Sequence, residues 1–306
     1  MKSIVKHITT NTRLINSILT NYKNTFFAFC ELINNSLQAT AGKIEINIDY
    51  DDSGFVSSSI KSIIIKDNGY GVPYSEFDKR ILDIGTAVKD GGQGIGRFGA
   101  LQIGAVLNIE TVAFDESEKK FSIVKFSLNA TELIGKQLNE IDFNVDYDYL
   151  DGQHSSYYKV TIDNIYHNTQ EKIPNKSKIA SELLSSNIKQ SIFERYPDEI
   201  FNNGIQFIVN ESAVNKDDFI IGVPHRRSIE FVTKKGRKEN INFNFYNIKL
   251  SLNKVKVFFT INNADLQTVA HEYTYSSDWY TPDLGTWYIY LDSPLFDSDL
   301  FRNLEL

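Results

Sequence analysis

Glu31-Leu32-Ile33-Asn34-Asn35-Ser36-Leu37-Gln38-Ala39 is the stretch that decides how this chain folds. It extends an apolar stripe, Phe26, Phe29, Cys30, Ile33 and Leu37, that recurs at helical spacing, which predicts an amphipathic helix from about Thr25 to Ala39. Glu31 and Asn35 are one turn apart on it, their Cβ atoms about 5–6 Å from each other. They fall beside the stripe instead of opposite it, so a carboxylate and an amide oxygen share one place at the edge of the core. A solvated helix flank has the same spacing, so the pair acquires meaning only from what surrounds it.

Downstream, Ile44, Ile46, Ile48 and Tyr50 alternate with polar residues as in a half-buried strand, and Asp51-Asp52-Ser53-Gly54 reads as a turn. A second strand is expected around Ile60 to Lys66 and a short helix from Tyr74 to Asp83. A glycine-bearing loop then leads to a helix in the apolar stretch Phe98 to Val106. Further strands are expected at Leu107 to Ala113, Phe121 to Leu128 and near Tyr158 to Ile162. This order predicts an α/β two-layer sandwich, a mixed sheet with helices on one face. Residues 166–178 are polar, lack periodicity and contain Pro174, which places a domain boundary there and gives domains 1–165 and 166–306. The second domain reads as a smaller α+β unit: a helix at about Ile179 to Arg195, then strands at Ile205 to Asn210, Ile229 to Thr233, Phe243 to Leu252, Val255 to Ile261 and Thr286 to Leu291. The end, Leu300 to Leu306, is apolar and helix-compatible with no stop signal, as expected of a fragment of a longer protein.

The 306 residues suit two domains, and 42% hydrophobic with 23% charged residues excludes a disordered chain. The net charge of -7 disfavours coating a phosphate backbone with the whole surface. Cys30, the one cysteine, cannot form an internal disulfide. No run reaches the length of a membrane span, and the start, MKSIVKHITT, has no apolar signal core, so a cytoplasmic protein without a membrane partner is expected. The histidines are too scattered for a metal site.

Two more features flank the helix. Asp67-Asn68-Gly69-Tyr70-Gly71 follows the Ile63-Ile64-Ile65 strand, where an acid leaving a buried strand can accept from a ligand amine and the glycines let the backbone approach a flat ring. An ordinary Asp-Asn-Gly turn remains an alternative. The loop Gly85 to Gly99 holds six glycines, whose free N–H groups suit a phosphate chain, with Lys89 and Arg97 adding full charges; a flexible surface loop is the alternative.

Together these residues resemble the GHKL superfamily of ATP-binding domains: DNA gyrase B, the heat-shock-ninety chaperones, histidine kinases, MutL and the MORC ATPases. The resemblance runs from about Asn11 to Ile165 and implies the Bergerat ATP-binding fold. It implies that Glu31 is the general base for water, that Asn35 is a ligand of Mg²⁺, and that Asp67 receives the adenine amino group with Gly69 and Gly71 flanking the purine. Gly94, Ile95, Gly96, Arg97, Phe98 and Gly99 match the ATP lid around the phosphates, and Thr161 is the candidate for a strand threonine. The run from Ile84 to Gly99 looks more like the chaperone and MORC branches than the histidine kinases, and no phosphoacceptor histidine helix stands out. Gln38 departs from the aspartate of many relatives, and Leu101 from a lid glycine.

The second half resembles, by architecture, the transducer domain of these proteins, which sends a lysine or arginine to the γ-phosphate. The segment His225 to Lys238 carries Arg226, Arg227, Lys234, Lys235, Arg237 and Lys238 against Glu230, and Lys235 or Lys238, beside Gly236, is the candidate. A solvated hairpin tip or a nucleic-acid contact would use the same charges. The implied function is Mg²⁺-dependent ATP binding and slow hydrolysis, coupled to lid closure and homodimerisation in a larger DNA-associated or genome-defence machine, with DNA or an effector protein as partner. The alternatives are an ATP-gated clamp or sensor with little hydrolysis, and a chaperone-like ATPase.

Overall fold

The computed structural model describes residues 1–6, 22, 24–51, 59–82, 96–130, 142–166, 179–201, 203–250, 255–263, 266–273 and 285–296. Two compact units divide them: Met1–Ile188 with Ile205–Ala213, and Lys189–Gly204 with Val214–Leu306. The polar stretch 167–178 lies outside the described residues, Tyr166 is buried, and the division falls after it.

The first unit is built on a nine-stranded sheet: β1 (Lys2–Lys6), β2 (Lys43–Asp51), β3 (Ser59–Asp67), β4 (Gly104–Asp115), β5 (Lys120–Asn129), β6 (Phe143–Leu150), β7 (Tyr157–Ile165), β8 (Gln206–Val209) and β9 (Ser212–Ala213). Their order is β1-β6-β5-β4-β7-β3-β2-β8-β9, antiparallel except for the parallel pair β2·β8. The strand β8, from sequence expected in the second domain, closes the edge beside β2, because Ile44 and Ile46 face Phe207 and Val209 in register.

Alternation puts Ile44, Ile46 and Ile48 of β2 and Ile63 and Ile65 of β3 inside, each at most 3% exposed. Over them packs α1 (Thr25–Gln38), started by Asn24, whose side chain accepts from the Phe27 amide at 3.0 Å. It ends where Thr40 takes φ 56° and its N–H bonds the Leu37 carbonyl. The opposite face of the sheet is polar, with Asn108, Glu110, Lys125 and Lys159 around a shallow hollow. A two-layer α/β arrangement is therefore present.

Several elements of the first unit differ from expectation. The helix from Tyr74 is a single α turn, α2 (Tyr74–Phe77), continued as a π turn, Asp78–Leu82. The stretch Phe98 to Val106 is a 3₁₀ helix, Gly96–Gln102, that hands over to β4 at Gly104, because glycines 99 and 104 undercut an α-helix. The edge strand β1 and the tyrosine-bearing β6 have no counterpart in the sequence reading.

The second unit holds α3 (Ile188–Arg195, from Lys189 onward), α4 (Pro197–Phe201), β10 (His225–Val232), β11 (Lys238–Ile248), β12 (Val255–Asn263), β13 (Leu266–Tyr273) and β14 (Thr286–Asp292). The sheet order is β10-β11-β14-β12-β13. Phe193, Tyr196, Tyr246, Tyr288 and Tyr290 fill its core, and the Tyr288 hydroxyl and Lys256 ammonium share the Glu194 carboxylate at 2.5 and 3.0 Å. The expected helix Ile179 to Arg195 is shorter: Ser181–Leu183 is a separate 3₁₀ turn.

Candidate functional site

The helix α1 is buried more widely than its apolar stripe requires, since Leu32, Asn34 and Ser36 are also at most 3% exposed. What stays partly open is one stripe, Phe27, Glu31, Asn35 and Gln38. Glu31 and Asn35 therefore stand on the single strip of helix that other atoms can reach. The Asn34 amide contacts the Glu31 carboxylate at 3.5 Å. Tyr22, whose backbone is clasped by Gln102 through bonds of 3.1 and 2.8 Å, has its phenol pushed up by burial first and by the Glu31 charge second.

Asp67 occupies, on β3, the inward position that alternation assigns after Ile63 and Ile65, and it is 3% exposed. Its carboxylate is a receiver of bonds: the Ser36 hydroxyl donates at 2.7 Å and the Gly69 amide at 2.9 Å, with the Tyr158 amide a third donor. Burial raises its pKa above the usual carboxylate value, and those three bonds partly oppose the rise.

The turn after it is held from every side. Asn68 exchanges bonds with the Lys43 backbone, the Tyr70 N–H reaches the Ala39 carbonyl, and the Val72 N–H reaches the Thr111 hydroxyl at 2.8 Å. Two glycines are required by this packing. A Cβ on Gly69 would stand 2.5 Å from the Ala39 carbonyl oxygen, and Gly71, at φ 64°, would place one 2.4 Å from that of Val112.

The result is a small cleft, open to solvent, lined by α1, the turn, the π turn and β7: Asn35, Gln38 and Asp67, then Tyr70, Gly71 and Arg80, with Ala39, Val72, Ile81 and Tyr158 completing the wall. An acid with satisfied partners, apolar walls and an amide at the rim can hold a flat heterocycle whose exocyclic amine donates to Asp67.

The structure thus joins Asn35, Asp67 and Gly71 at one cavity, with Gly69 bonded to Asp67 and Glu31 one turn above Asn35. Other expected residues lie elsewhere. Thr161 is on the opposite face of the sheet, in the polar hollow with Asn108 and Lys159, because it differs by an odd number of residues from Tyr158; the residue beside Asp67 on β7 is Tyr158. The Phe98 side chain is core, 1% exposed, and Gly99 is small because a Cβ would meet the Tyr22 ring at 2.8 Å. Gly96 and Arg97 begin the 3₁₀ helix, while Lys89, Gly94 and Ile95 lie outside the described residues. Lys235 and Lys238 belong to the second unit, at the β10–β11 hairpin, where Lys238 bonds Glu230 at 3.2 Å.

Sequence reasoning missed Ser36, Arg80, Thr111 and Tyr158. Ser36 had a signal: it sits three residues after Ile33 and seven after Phe29, a polar residue on the apolar stripe. The other three depend on strand register or on the π turn.

Residues 22–156 match the family model of histidine kinase-, DNA gyrase B- and HSP90-like ATPases, and the mixed α/β sheet of the first unit is consistent with that ATPase domain. The fold is also similar to the crystal structure of the N-terminal domain of a DNA repair protein, with a TM-score of 0.54 over 93% of this chain and 87% of that one at 14% identity. No curated protein matches the chain. No described helix is long and apolar enough to cross a membrane.

Proposed function

We propose that the cavity at Asp67 binds the adenine of ATP and that Glu31 activates water for slow, Mg²⁺-dependent hydrolysis. The observation that carries this reading is the junction of α1 with β3: the helix bonds Asp67 through the buried Ser36 and, on its adjacent open stripe, carries Asn35 and, one turn before it, Glu31. A single rigid element thereby spaces an adenine acceptor and a water-activating carboxylate within one ligand. Asn35 supplies one amide oxygen to a cation. An Mg²⁺ ion at this site would be carried mainly by phosphates and waters. When bound, that ion neutralises phosphate charge; Glu31 takes the proton of the attacking water.

Lid closure over the phosphates and association of two copies complete this reading, with the chain as the motor of a DNA-associated or genome-defence machine. The family match and the likeness to a DNA repair protein's N-terminal domain support it. The basic hairpin His225 to Lys238 supports a DNA contact by its charge.

Asp67 provides the test. A base amine donating to it favours the ionised carboxylate, whereas burial holds its pKa up in the free protein. Binding therefore lowers that pKa and releases protons, increasingly so as the pH is lowered toward the carboxylate range. Calorimetric titration with ATP in buffers of different ionisation enthalpy should show this release. Asp67→Asn should reduce it and weaken adenine nucleotides by about tenfold or more. Unchanged affinity in the variant would remove the adenine assignment.

A further inference from the structure

The cavity carries charge at two depths. Asp67 is at its inner end, 3% exposed, whereas the Arg80 side chain is 29% and Tyr70 46% exposed at its mouth. Among the described lining residues these two, Asp67 and Arg80, are the charged ones. Arg80 is also fixed in place. One guanidinium nitrogen donates to Glu76 at 3.1 Å and another to the Tyr70 hydroxyl at 2.9 Å, while its carbon lies 4.8 Å from the centre of the Tyr70 ring. The π turn places the consecutive residues Arg80 and Ile81 on the cavity wall.

We propose that Arg80 is a nucleotide-binding residue that reads the phosphate nearest the sugar, with Tyr70 as the platform that holds its guanidinium. This rests on the reading of the cavity as an adenine nucleotide site. An acid inside and a cation at the mouth match a molecule that donates a hydrogen bond at one end and is anionic at the other. A nucleoside satisfies the first group alone; a nucleotide satisfies both. The planar fork of a guanidinium suits a phosphate, and because Tyr70 and Glu76 already order this side chain, little further ordering is needed on binding.

The test is titration of the full chain with adenosine, AMP and ADP at low ionic strength. The wild type should bind both nucleotides more tightly than adenosine. Arg80→Ala should weaken AMP and ADP by about tenfold while adenosine changes by less than about twofold, and Arg80→Lys should restore part of the loss, since it returns the charge without the fork. Arg80→Gln, uncharged and of similar reach, carries the same comparison should the alanine variant unfold. Equal weakening of adenosine and AMP would reduce Arg80 to a structural role and overturn the proposal, as would AMP affinity that no Arg80 variant changes. The reading of the cavity fails separately: it falls if the wild type binds none of the three ligands and no ATP, whereas ATP binding that Asp67→Asn weakens and Arg80 variants leave intact sinks this inference alone.

Discussion

Asp67 is an acid at a position where strand alternation calls for an isoleucine, and its surroundings show how that is tolerated. Three donors, one from a helix, one from its own turn and one from the neighbouring strand, solvate the carboxylate that burial strips of water. The glycines after it are as constrained as the acid. Gly71 combines a left-handed backbone with contact against the β4 backbone, so Gly71→Ala should incur both a conformational and a steric penalty, together about 2–4 kcal/mol. A denaturant melt checks this, and a loss under ~1 kcal/mol would mean that the turn can move away from β4. Sequence alone placed Asp67, Gly69 and Gly71 in a turn at a strand end, because that much is local. It could not supply Tyr158, which lies far along the chain and reaches Asp67 only through the β3–β7 register, nor exclude Thr161, which that same register turns to the other face.

At the scale of elements, α1 does two things at once. Its buried arc anchors the sandwich, and its one open stripe carries Glu31, Asn35 and Gln38. Loss of its start should therefore be felt as stability. Asn24 satisfies the Phe27 amide at 3.0 Å, and Asn24→Ala should cost about 1 kcal/mol in a urea melt. No measurable loss would show that another group caps the helix. The elements that periodicity revealed are those with strong alternation, such as β2 and β3 with their isoleucines. The strand β6 stayed hidden because Asn144, Asp146 and Asp148 are poor strand formers, although Phe143, Val145, Tyr147 and Tyr149 alternate with them on its other face. Its Tyr147 and Tyr149 pack around Tyr74, a contact only the sheet order creates. The stretch after Gly96 was ambiguous for a different reason: Phe98 and Leu101 have helical spacing whereas Leu101, Ile103 and Leu107 share strand parity, and the glycines fall between the two patterns.

At the scale of the molecule, the net charge of -7 coexists with a basic hairpin whose strand β10 is exposed at all eight residues. The strand β8 belongs to the first sheet although it follows α3 and α4 in sequence, so the two units exchange chain and cannot be cut apart at residue 166. The whole 306-residue chain is accordingly the right material for measuring function. The central claim is that this chain binds ATP at Asp67 and hydrolyses it with Glu31, and one comparison reaches it most directly: ATP affinity and Mg²⁺-dependent phosphate release of the wild type beside Glu31→Ala. The expected result is slow release by the wild type, and in the variant ATP affinity within a few-fold of it with release at least about a hundredfold slower. Turnover by Glu31→Ala at the wild-type rate, or a wild type that does not bind ATP, would contradict the claim.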